Sequence, residues 1–347
     1  EYNAEILPGA ITRPAAVELL GTASDAVSAT LRYRTVLEVP AALTATRTRR
    51  QGKAPVELPM VTEVRLWAGM PRVDFRVTVE NRAQDHRLRA LFPLPFAVSH
   101  AITENQFHVA ERPIEPPPWN GISAELPPTT FPQKTFAAFE RDGHGLAVFN
   151  RGLPEGEVVG DRRGRQAYAL TLLRCVGWLS RSDLTSRRGG AGPSIATFDS
   201  QMPGDHTFEY SLMTYRGTWR EAGVQAMAHS FAFPPMAWAT NRHDGSHRGT
   251  LPLATLTPDA VVPSAMHRSD EDGAPVIRVY NASGEAVEAA IEVPAAMSGA
   301  DLVDLLERPA GDLAGDGHYR FSMRPWGIAS LRLRKHGISV ERGEGRA

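Results

Sequence analysis

The fold class is decided by the segment Thr62-Glu63-Val64-Arg65-Leu66-Trp67-Ala68-Gly69-Met70-Pro71-Arg72-Val73-Asp74-Phe75-Arg76-Val77-Thr78-Val79-Glu80. Apolar and polar residues alternate on both sides of a central turn, which is the pattern of a hairpin with one buried and one solvated face. Similar short runs recur from residues 29–39 to residues 318–323, between turns rich in the chain's 27 prolines and 30 glycines. The sequence therefore predicts an all-β chain.

The same patterns indicate how the chain is divided. Helical periodicity is weak, and its clearest candidate is residues 219–230. Residues 234–263 are rich in proline and polar residues, which is typical of a domain boundary. We therefore predict a large antiparallel β-sandwich over residues 1–245 and a small β-sandwich over residues 246–337. The polar residues 338–347 are predicted to form a disordered tail.

Composition indicates a folded globular chain, since 42% of the 347 residues are hydrophobic and 22% are charged. A formal net charge of −1 gives no electrostatic reason to expect a nucleic acid or a membrane surface as partner. No apolar run approaches the about 20 residues of a membrane span, and no export signal is visible. Cys175 is the single cysteine and lies in an apolar run, so we predict a buried, inert thiol and a cytoplasmic location.

One loop stands out for function, with the sequence Ser180-Arg181-Ser182-Asp183-Leu184-Thr185-Ser186-Arg187-Arg188-Gly189-Gly190-Ala191-Gly192-Pro193. It concentrates three arginines, one carboxylate and several small residues between two strand-like runs, residues 169–179 and 204–212. A loop this polar and this rich in glycine cannot be buried by its own side chains. We therefore expect it to be exposed or to contact a ligand or another domain.

The loop and its flanks resemble the C-terminal region of glycoside hydrolase family 38, the retaining α-mannosidases, and in particular its bacterial members. Further blocks agree with this resemblance in the expected order, and the whole match covers roughly residues 61–333. The resemblance implies that the large sandwich is a galactose-mutarotase-like super-sandwich. The supporting blocks are residues 85–93, residues 145–155 and residues 324–333.

Family members place a catalytic barrel ahead of this region, and no such barrel is visible in the sequence. The resemblance therefore implies that this chain holds no catalytic residue, metal or cofactor, that zinc lies in the catalytic domain, and that the chain alone is inactive. Its implied role is to wall the cleft and stabilise the barrel of an enzyme that hydrolyses terminal α-linked mannose with retention. Its partners would be that domain and an α-mannoside, and a homo-oligomer is left open.

A free-standing carbohydrate-binding or scaffolding β-sandwich is the alternative. The two hypotheses differ because a missing barrel would leave an apolar, arginine-rich surface exposed, whereas a free-standing module would lack such a patch.

Candidate binding residues follow from the resemblance, which aligns Arg187 with an arginine at the edge of the family's active-site cleft. Bacterial relatives usually have proline where Arg188 stands, so either arginine can be the one that reaches substrate, and a water-exposed loop arginine is the plain alternative. Asp183 is expected to brace the loop or an arginine. Asn105 and Gln106, followed by Phe107, stand where relatives carry a polar loop beside the cleft.

Other polar residues carry no site prediction. His243 and His247 are four residues apart, but turn-type residues separate them, so no metal site is predicted there. Glu209 alternates with aromatic residues and is predicted to be an ion-paired or solvated strand residue.

Overall fold

A computed structural model describes residues 11–51, 54–160, 163–184, 186–241, 244, 252–294, 297 and 299–334. These residues form antiparallel β-sheets with one α-helix and one 3-10 helix, which confirms the predicted all-β class. No described helix is long and apolar enough to cross a membrane.

The chain divides into two compact units. The larger contains residues 1–104 and 110–235, and the smaller contains residues 105–109 and 236–347. The predicted boundary at residues 245/246 falls where residues 245–251 lie outside the described part, as does the predicted tail at residues 338–347.

Fifteen strands of the described residues build the larger unit. Residues 105–109, which are the end of β8, its connection to β9 and the start of β9, are counted in the smaller unit. The helices are the 3-10 helix Phe198–Gln201 and α1, Val224–Ala232. The strands are β1 (Ala16–Ser24), β2 (Ser28–Val39), β3 (Ala42–Leu43), β4 (Arg50–Gln51), β5 (Val56–Trp67), β6 (Val73–Asn81), β7 (Arg87–Pro93), β8 (His100–Asn105), β9 (His108–Pro113), β10 (Thr130–Pro132), β11 (Phe136–Arg141), β12 (His144–Asn150), β13 (Glu155–Gly160), β14 (Gln166–Arg174) and β15 (Gly204–Arg216).

Two facing sheets enclose the core of the larger unit. The nine-stranded sheet has the order β1-β2-β5-β6-β15-β12-β11-β8-β9, and the four-stranded sheet has the order β10-β13-β14-β7. The predicted hairpin is β5–β6, and its Val77 and Val79 are buried in this core, as the alternation requires. Tyr168 of β14 lies at the centre, against Phe92 and Phe139. Burial of these facing apolar surfaces is the main stabilising contribution to the sandwich.

The helix α1 begins at Val224, five residues later than the predicted start at Trp219. Residues before it form a turn in which the Thr218 backbone and hydroxyl donate to the Glu221 carboxylate, at 2.8 and 2.9 Å. Gly223 has a φ of +64°, which ends that turn and suits glycine. Helix propensity alone does not show that the turn extends to Gly223, so the predicted start of the helix was too early.

The smaller unit is a second sandwich, with sheets ordered β16-β19-β22 and β17-β18-β23-β20-β21. Its core contains Ile291, Tyr319 and Leu331. Within this unit Phe107 packs edge-on against Tyr280, with ring centroids 5.7 Å apart. The strands are β16 (Thr255–Thr257), β17 (Val261–Arg268), β18 (Pro275–Asn281), β19 (Val287–Glu292), β20 (Gly299–Val303), β21 (Pro309–Leu313), β22 (His318–Met323) and β23 (Ile328–Arg334).

Candidate functional site

The arginine loop, residues 180–193, lies between β14 and β15 and is closed by its first residue. The Ser180 hydroxyl accepts a hydrogen bond from the Ala191 backbone N–H at 3.0 Å and donates to the Gly192 carbonyl at 3.1 Å. Below it, the Thr197 N–H donates to the Gly177 carbonyl at 2.8 Å. One side chain therefore joins both ends of a loop whose described residues make a strand-like pairing only at Arg187.

A buried polar cluster fixes the base of this loop to the larger unit. The Gln201 amide donates to Asp85 Oδ1 at 2.7 Å, and its carbonyl oxygen accepts the Asp85 N–H at 2.8 Å. The Asn81 amide donates to the Met202 carbonyl at 2.6 Å. Beside them Cys175 is buried, as predicted, and that burial raises the pKa of its thiol to about 11. The thiol is therefore protonated at neutral pH and unsuited to nucleophilic chemistry.

Asp183 braces Arg181 and not Arg187. Two parallel hydrogen bonds of 2.7 Å join the Arg181 guanidinium to both Asp183 carboxylate oxygens, and Arg47 lies 3.7 Å away. The hydrogen bond from Arg181 lowers the pKa of Asp183 to about 2. The Arg181 guanidinium also lies 4.6 Å from the ring centroid of Trp178. Asp183 and Arg181 therefore form a preformed pair that holds the first half of the loop.

Arg187 is paired with a residue that the sequence did not single out. Glu125 and Arg187 form a short β-bridge, in which the Arg188 N–H donates to the Ala124 carbonyl at 2.8 Å. The Arg187 Nη1 group donates to the Glu125 carboxylate. The Arg187 side chain is 21% exposed, and its buried Nε has no hydrogen-bond partner among the residues that the structure describes. Residues 119–126 therefore form a second wall of the site.

Arg188 stacks on the other residue that the sequence analysis missed, Trp119, at 4.1 Å from guanidinium to ring centroid. The indole N–H donates to the Ser123 carbonyl at 3.0 Å, while the Asn120 carboxamide oxygen accepts the N–H groups of residues 122 and 123 at 2.9 Å. The turn-type residues of Trp119-Asn120-Gly121 are the sequence feature that could have pointed to this segment. A pocket of about 280 Å³ lies between the loops, lined by Trp119, Ala124, Leu126, Leu184, Arg187 and Arg188.

The remaining candidates do not line this pocket. Asn105 and Gln106 belong to the smaller unit, whereas all lining residues of the pocket belong to the larger one. Glu209 is ion-paired with Arg151 and lies 3.8 Å from Arg76, which confirms its predicted role. Across the described ranges, no three His, Cys, Asp or Glu residues are grouped to hold a metal ion; His243 and His247 lie outside those ranges.

The site therefore offers guanidinium donors and an aromatic face, arranged around a small pocket. Such groups recognise hydroxyls, carboxylates and phosphates. The two carboxylates beside them, Asp183 and Glu125, are both paired with arginine. The chemistry that this geometry supports is ligand recognition.

Two family models match the chain. Residues 24–178 match the model "Glycosyl hydrolases family 38 C-terminal domain". Residues 260–331 match the "Glycosyl hydrolases family 38 C-terminal beta sandwich domain". These two ranges fall in the larger and the smaller unit respectively, apart from the few residues at positions 105–109.

Individual proteins agree with the family models. A putative mannosylglycerate hydrolase of Halalkalibacterium halodurans is 27% identical over 206 residues, which cover 59% of this chain and 20% of that protein. The human alpha-mannosidase 2C1 is 27% identical over 278 residues, which cover 78% of this chain and 24% of that protein.

Two solved structures from Enterococcus faecalis, a glycosyl hydrolase family 38 protein and an alpha-mannosidase, are each 23% identical, with TM-scores of 0.73 and 0.72. They cover 92% of this chain, and the matched part is 36% and 35% of their own length. At this identity they show the fold alone.

Proposed function

We infer the function of this chain from its family, since it belongs to the C-terminal region of glycoside hydrolase family 38. The chain spans only 20–24% of the length of the relatives it matches in sequence. We propose that it acts within a longer protein that hydrolyses α-mannosides with retention of configuration. The observation that carries this proposal is the match of residues 24–178 and 260–331 to the family's C-terminal models, and the pocket lined by Trp119, Arg187 and Arg188 is the candidate recognition surface.

In this proposal the chain contributes recognition, and another domain contributes the reacting groups. A retaining glycosidase needs two carboxyl groups about 5 to 5.5 Å apart across the scissile bond. The carboxylates of the candidate site are engaged by arginines. We propose that the two catalytic carboxyl groups, and the zinc that the resemblance implies, belong to the other domain. In this proposal Arg187 or Arg188 would donate to sugar hydroxyls, and Asp183 would fix the loop. Within the smaller unit, Asn105 and Gln106 are proposed separately as amide donors to carbohydrate.

The proposal is tested by measuring hydrolysis of an aryl α-mannoside, with and without added zinc. The 347-residue chain is compared with the protein extended upstream in its reading frame. Activity in the extended protein alone supports the proposal. Activity in the short chain would contradict the division of labour, and saturable mannoside binding without activity in either protein would favour a free-standing carbohydrate-binding module.

The role of the arginines is tested in the extended protein. Arg187→Ala and Arg188→Ala each remove a guanidinium from the pocket, and we expect the one that meets substrate to lower kcat/KM roughly 10- to 100-fold. Arg216→Ala is the matched control, because Arg216 is an exposed arginine at the end of β15 and away from the pocket lining. Unchanged kinetics in both pocket variants would remove these residues from the substrate site.

A further inference from the structure

We propose that Asn120 is a site of spontaneous covalent modification, at which the side-chain amide cyclises onto the Gly121 nitrogen to form a succinimide that opens to aspartate or isoaspartate. The modification does not depend on the proposed function, because it needs only this chain and water. It alters the wall of the site that residues 119–126 form. The sequence, the hydrogen bonds of the turn and its exposure each support it.

The nucleophile of this reaction is unhindered. Asn120-Gly121 is the one asparagine–glycine pair in the 347-residue sequence. Glycine has no side chain to obstruct the approach of its nitrogen to the asparagine carbonyl carbon, and it moves freely between backbone conformations. At Gly121, where φ is +77°, no described atom beyond the chain neighbours lies within 4 Å of the place of a β-carbon. The Gly121 N–H makes no hydrogen bond within the described part of the chain, so it is available to react.

The turn also supplies donors to the oxygen on which charge develops. Asn120 Oδ1 accepts the backbone N–H groups of Ile122 and Ser123, each at 2.9 Å. When the Gly121 nitrogen adds to the side-chain carbonyl carbon, an electron pair of the C=O bond moves onto this oxygen. Two fixed N–H donors stabilise such an oxyanion, as they do in enzymes that form tetrahedral intermediates. The hydrogen bonds that hold the turn therefore also favour cyclisation.

The leaving nitrogen has a proton source beside it. Asn120 Nδ2 donates to Ser123 Oγ at 3.1 Å before the reaction. As the bond between the Gly121 nitrogen and Asn120 Cγ forms, that nitrogen gives its proton to water. The Cγ–Nδ2 bond then breaks, and Nδ2 takes a proton from the Ser123 hydroxyl, which regains one from water, and leaves as ammonia. Water opens the ring at either carbonyl, so the net reaction converts one amide and one water into one carboxylic acid and one ammonia.

Water reaches this turn, because residues 120–126 are exposed. Other asparagines lack one of the two conditions. Asn150 and Asn281 are buried, with 1% and 0% of their surface exposed. Asn241 is exposed but is followed by Arg242, whose side chain obstructs the attacking nitrogen. Asn120 therefore combines exposure with a glycine neighbour.

The two products affect the wall of the site differently. Aspartate at position 120 keeps the backbone and an acceptor oxygen for both N–H groups, so the turn persists with one added negative charge. Isoaspartate carries the main chain through the side-chain carbon, which lengthens the backbone by one carbon and relocates the acceptor. Trp119 then loses the support of its indole hydrogen bond to the Ser123 carbonyl, which is 3.0 Å long, and with it the stacking on Arg188.

The test is to incubate the 347-residue chain in a mildly alkaline buffer and to follow Asn120 and Asn241 by peptide mapping with mass spectrometry. Fragmentation that separates isoaspartate from aspartate identifies the succinimide, since direct hydrolysis of the amide gives aspartate alone. We expect conversion roughly tenfold faster at Asn120 than at Asn241, a smaller effect than an enzyme obtains from an oxyanion donor, with isoaspartate among the products. Equal rates at the two residues, or aspartate as the sole product, overturn the inference.

Variants and a peptide test the part that the turn plays. Asn120→Gln should abolish the reaction, because the longer side chain would have to close a larger ring. Ser123→Ala should slow it a few-fold, and Ser182→Ala, at an exposed serine of the arginine loop, should leave it unchanged. Thermal unfolding of each variant shows whether the fold is intact. A synthetic peptide of residues 117–125 lacks the folded turn, and a folded chain that reacts much more slowly than this peptide would mean that the turn protects Asn120, which also overturns the inference.

The effect on the wall is measured by limited trypsin cleavage after Arg188. The isoaspartate form, separated from the incubated chain, should be cleaved several-fold faster than the fresh chain, because the stacking on Trp119 is lost. Asn120→Asp, which has the added charge without the lengthened backbone, should be cleaved at the rate of the fresh chain. Equal cleavage of the isoaspartate form and the fresh chain would contradict the predicted change in the wall.

Discussion

Glu104 shows how a single buried charge is accommodated in this fold. Its side chain has no exposed surface, and its oxygens accept hydrogen bonds from the Thr135 N–H and hydroxyl, the Gln225 amide and the His229 ring. The His229 bond is 2.6 Å long. Burial by itself raises the pKa of Glu104. The hydrogen bond and charge of His229, together with the hydrogen bond from Thr135, outweigh that effect, so the net shift of the pKa is downward. The ionised form is therefore favoured in the folded chain.

Replacing Glu104 with alanine should lower the free energy of unfolding by about 3 kcal/mol, because the buried Thr135 and Gln225 and the partly buried His229 lose their acceptor. Urea denaturation at neutral pH measures this loss. Glu111→Ala, at an exposed position of β9, is the control and should change stability by less than about 0.5 kcal/mol. A Glu104→Ala variant as stable as the parent would mean that the partners find other acceptors.

The same residue gives a pH dependence with a defined sign. The pKa of Glu104 is lower in the folded chain than its ordinary value of 4.5, so its contribution is fully present above that value and is lost as the pH falls through the folded pKa. The parent should therefore lose more stability on acidification below about pH 4.5 than Glu104→Gln does. Parallel curves of unfolding free energy against pH for the parent and Glu104→Gln would contradict the lowered pKa of Glu104.

At the scale of the element, the arginine loop depends on the Ser180 hydroxyl for its closure. Ser180→Ala removes the acceptor of the Ala191 N–H and the donor to Gly192, so the loop should open more often. We expect trypsin to cleave after Arg187 or Arg188 several-fold faster, with little change in the global unfolding temperature. Limited proteolysis followed by mass spectrometry of the fragments measures this.

Ser182→Ala is the control for this change, because Ser182 is an exposed serine of the same loop. It should leave the cleavage rate unchanged. Equal acceleration by both substitutions would indicate a general loss of order and not the loss of one closing contact.

Strands were easier to predict than the site, for a physical reason. The alternation of Val73, Phe75, Val77 and Val79 reflects burial of one face, so it is written in neighbouring residues. The stacking of Arg188 on Trp119 joins segments distant in the chain and leaves no periodic trace. The resemblance identified the arginine loop, but only the tertiary structure shows that residues 119–126 form the second wall of the site. The start of α1 was misplaced because the Gly223 conformation outweighs helix propensity.

At the scale of the whole molecule, one edge of the nine-stranded sheet has an apolar face that no other part of the described chain covers. The register places Leu19, Tyr33, Thr62 and Val77 side by side across four strands, from β1 to β6. Directly opposed residues share a face, so Leu19 lies on the same face as the core residue Val77. Exposure falls along this row from 66% at Leu19 to 4% at Val77. The apolar face therefore continues beyond the area that the four-stranded sheet covers.

We propose that another part of a longer protein covers this face, since the chain spans only 20–24% of the length of the relatives it matches in sequence. Exposed apolar neighbours on the same side, Val17, Leu31 and Leu66, extend the patch. Patches of contiguous exposed apolar residues mark interaction surfaces in soluble proteins. The predicted occupant is the catalytic domain, which would contribute the reacting groups.

Leu19→Glu distinguishes a covered face from a free one. In the 347-residue chain, where Leu19 is exposed, the change should alter the free energy of unfolding by less than about 0.5 kcal/mol. In the extended protein it should destabilise by at least about 2 kcal/mol, since burial of a leucine is lost and a carboxylate is placed against apolar surface. Urea denaturation of both proteins gives the two values.

Leu306→Glu is the matched control, because Leu306 is 73% exposed and belongs to the smaller unit. Leu306→Glu should leave the free energy of unfolding unchanged in both proteins. If Leu19→Glu is also neutral in the extended protein, the face is open to solvent there and the proposed contact is wrong. A loss confined to Leu19→Glu in the extended protein would show that the sandwich core continues into a second domain, because only a newly buried leucine carries that cost.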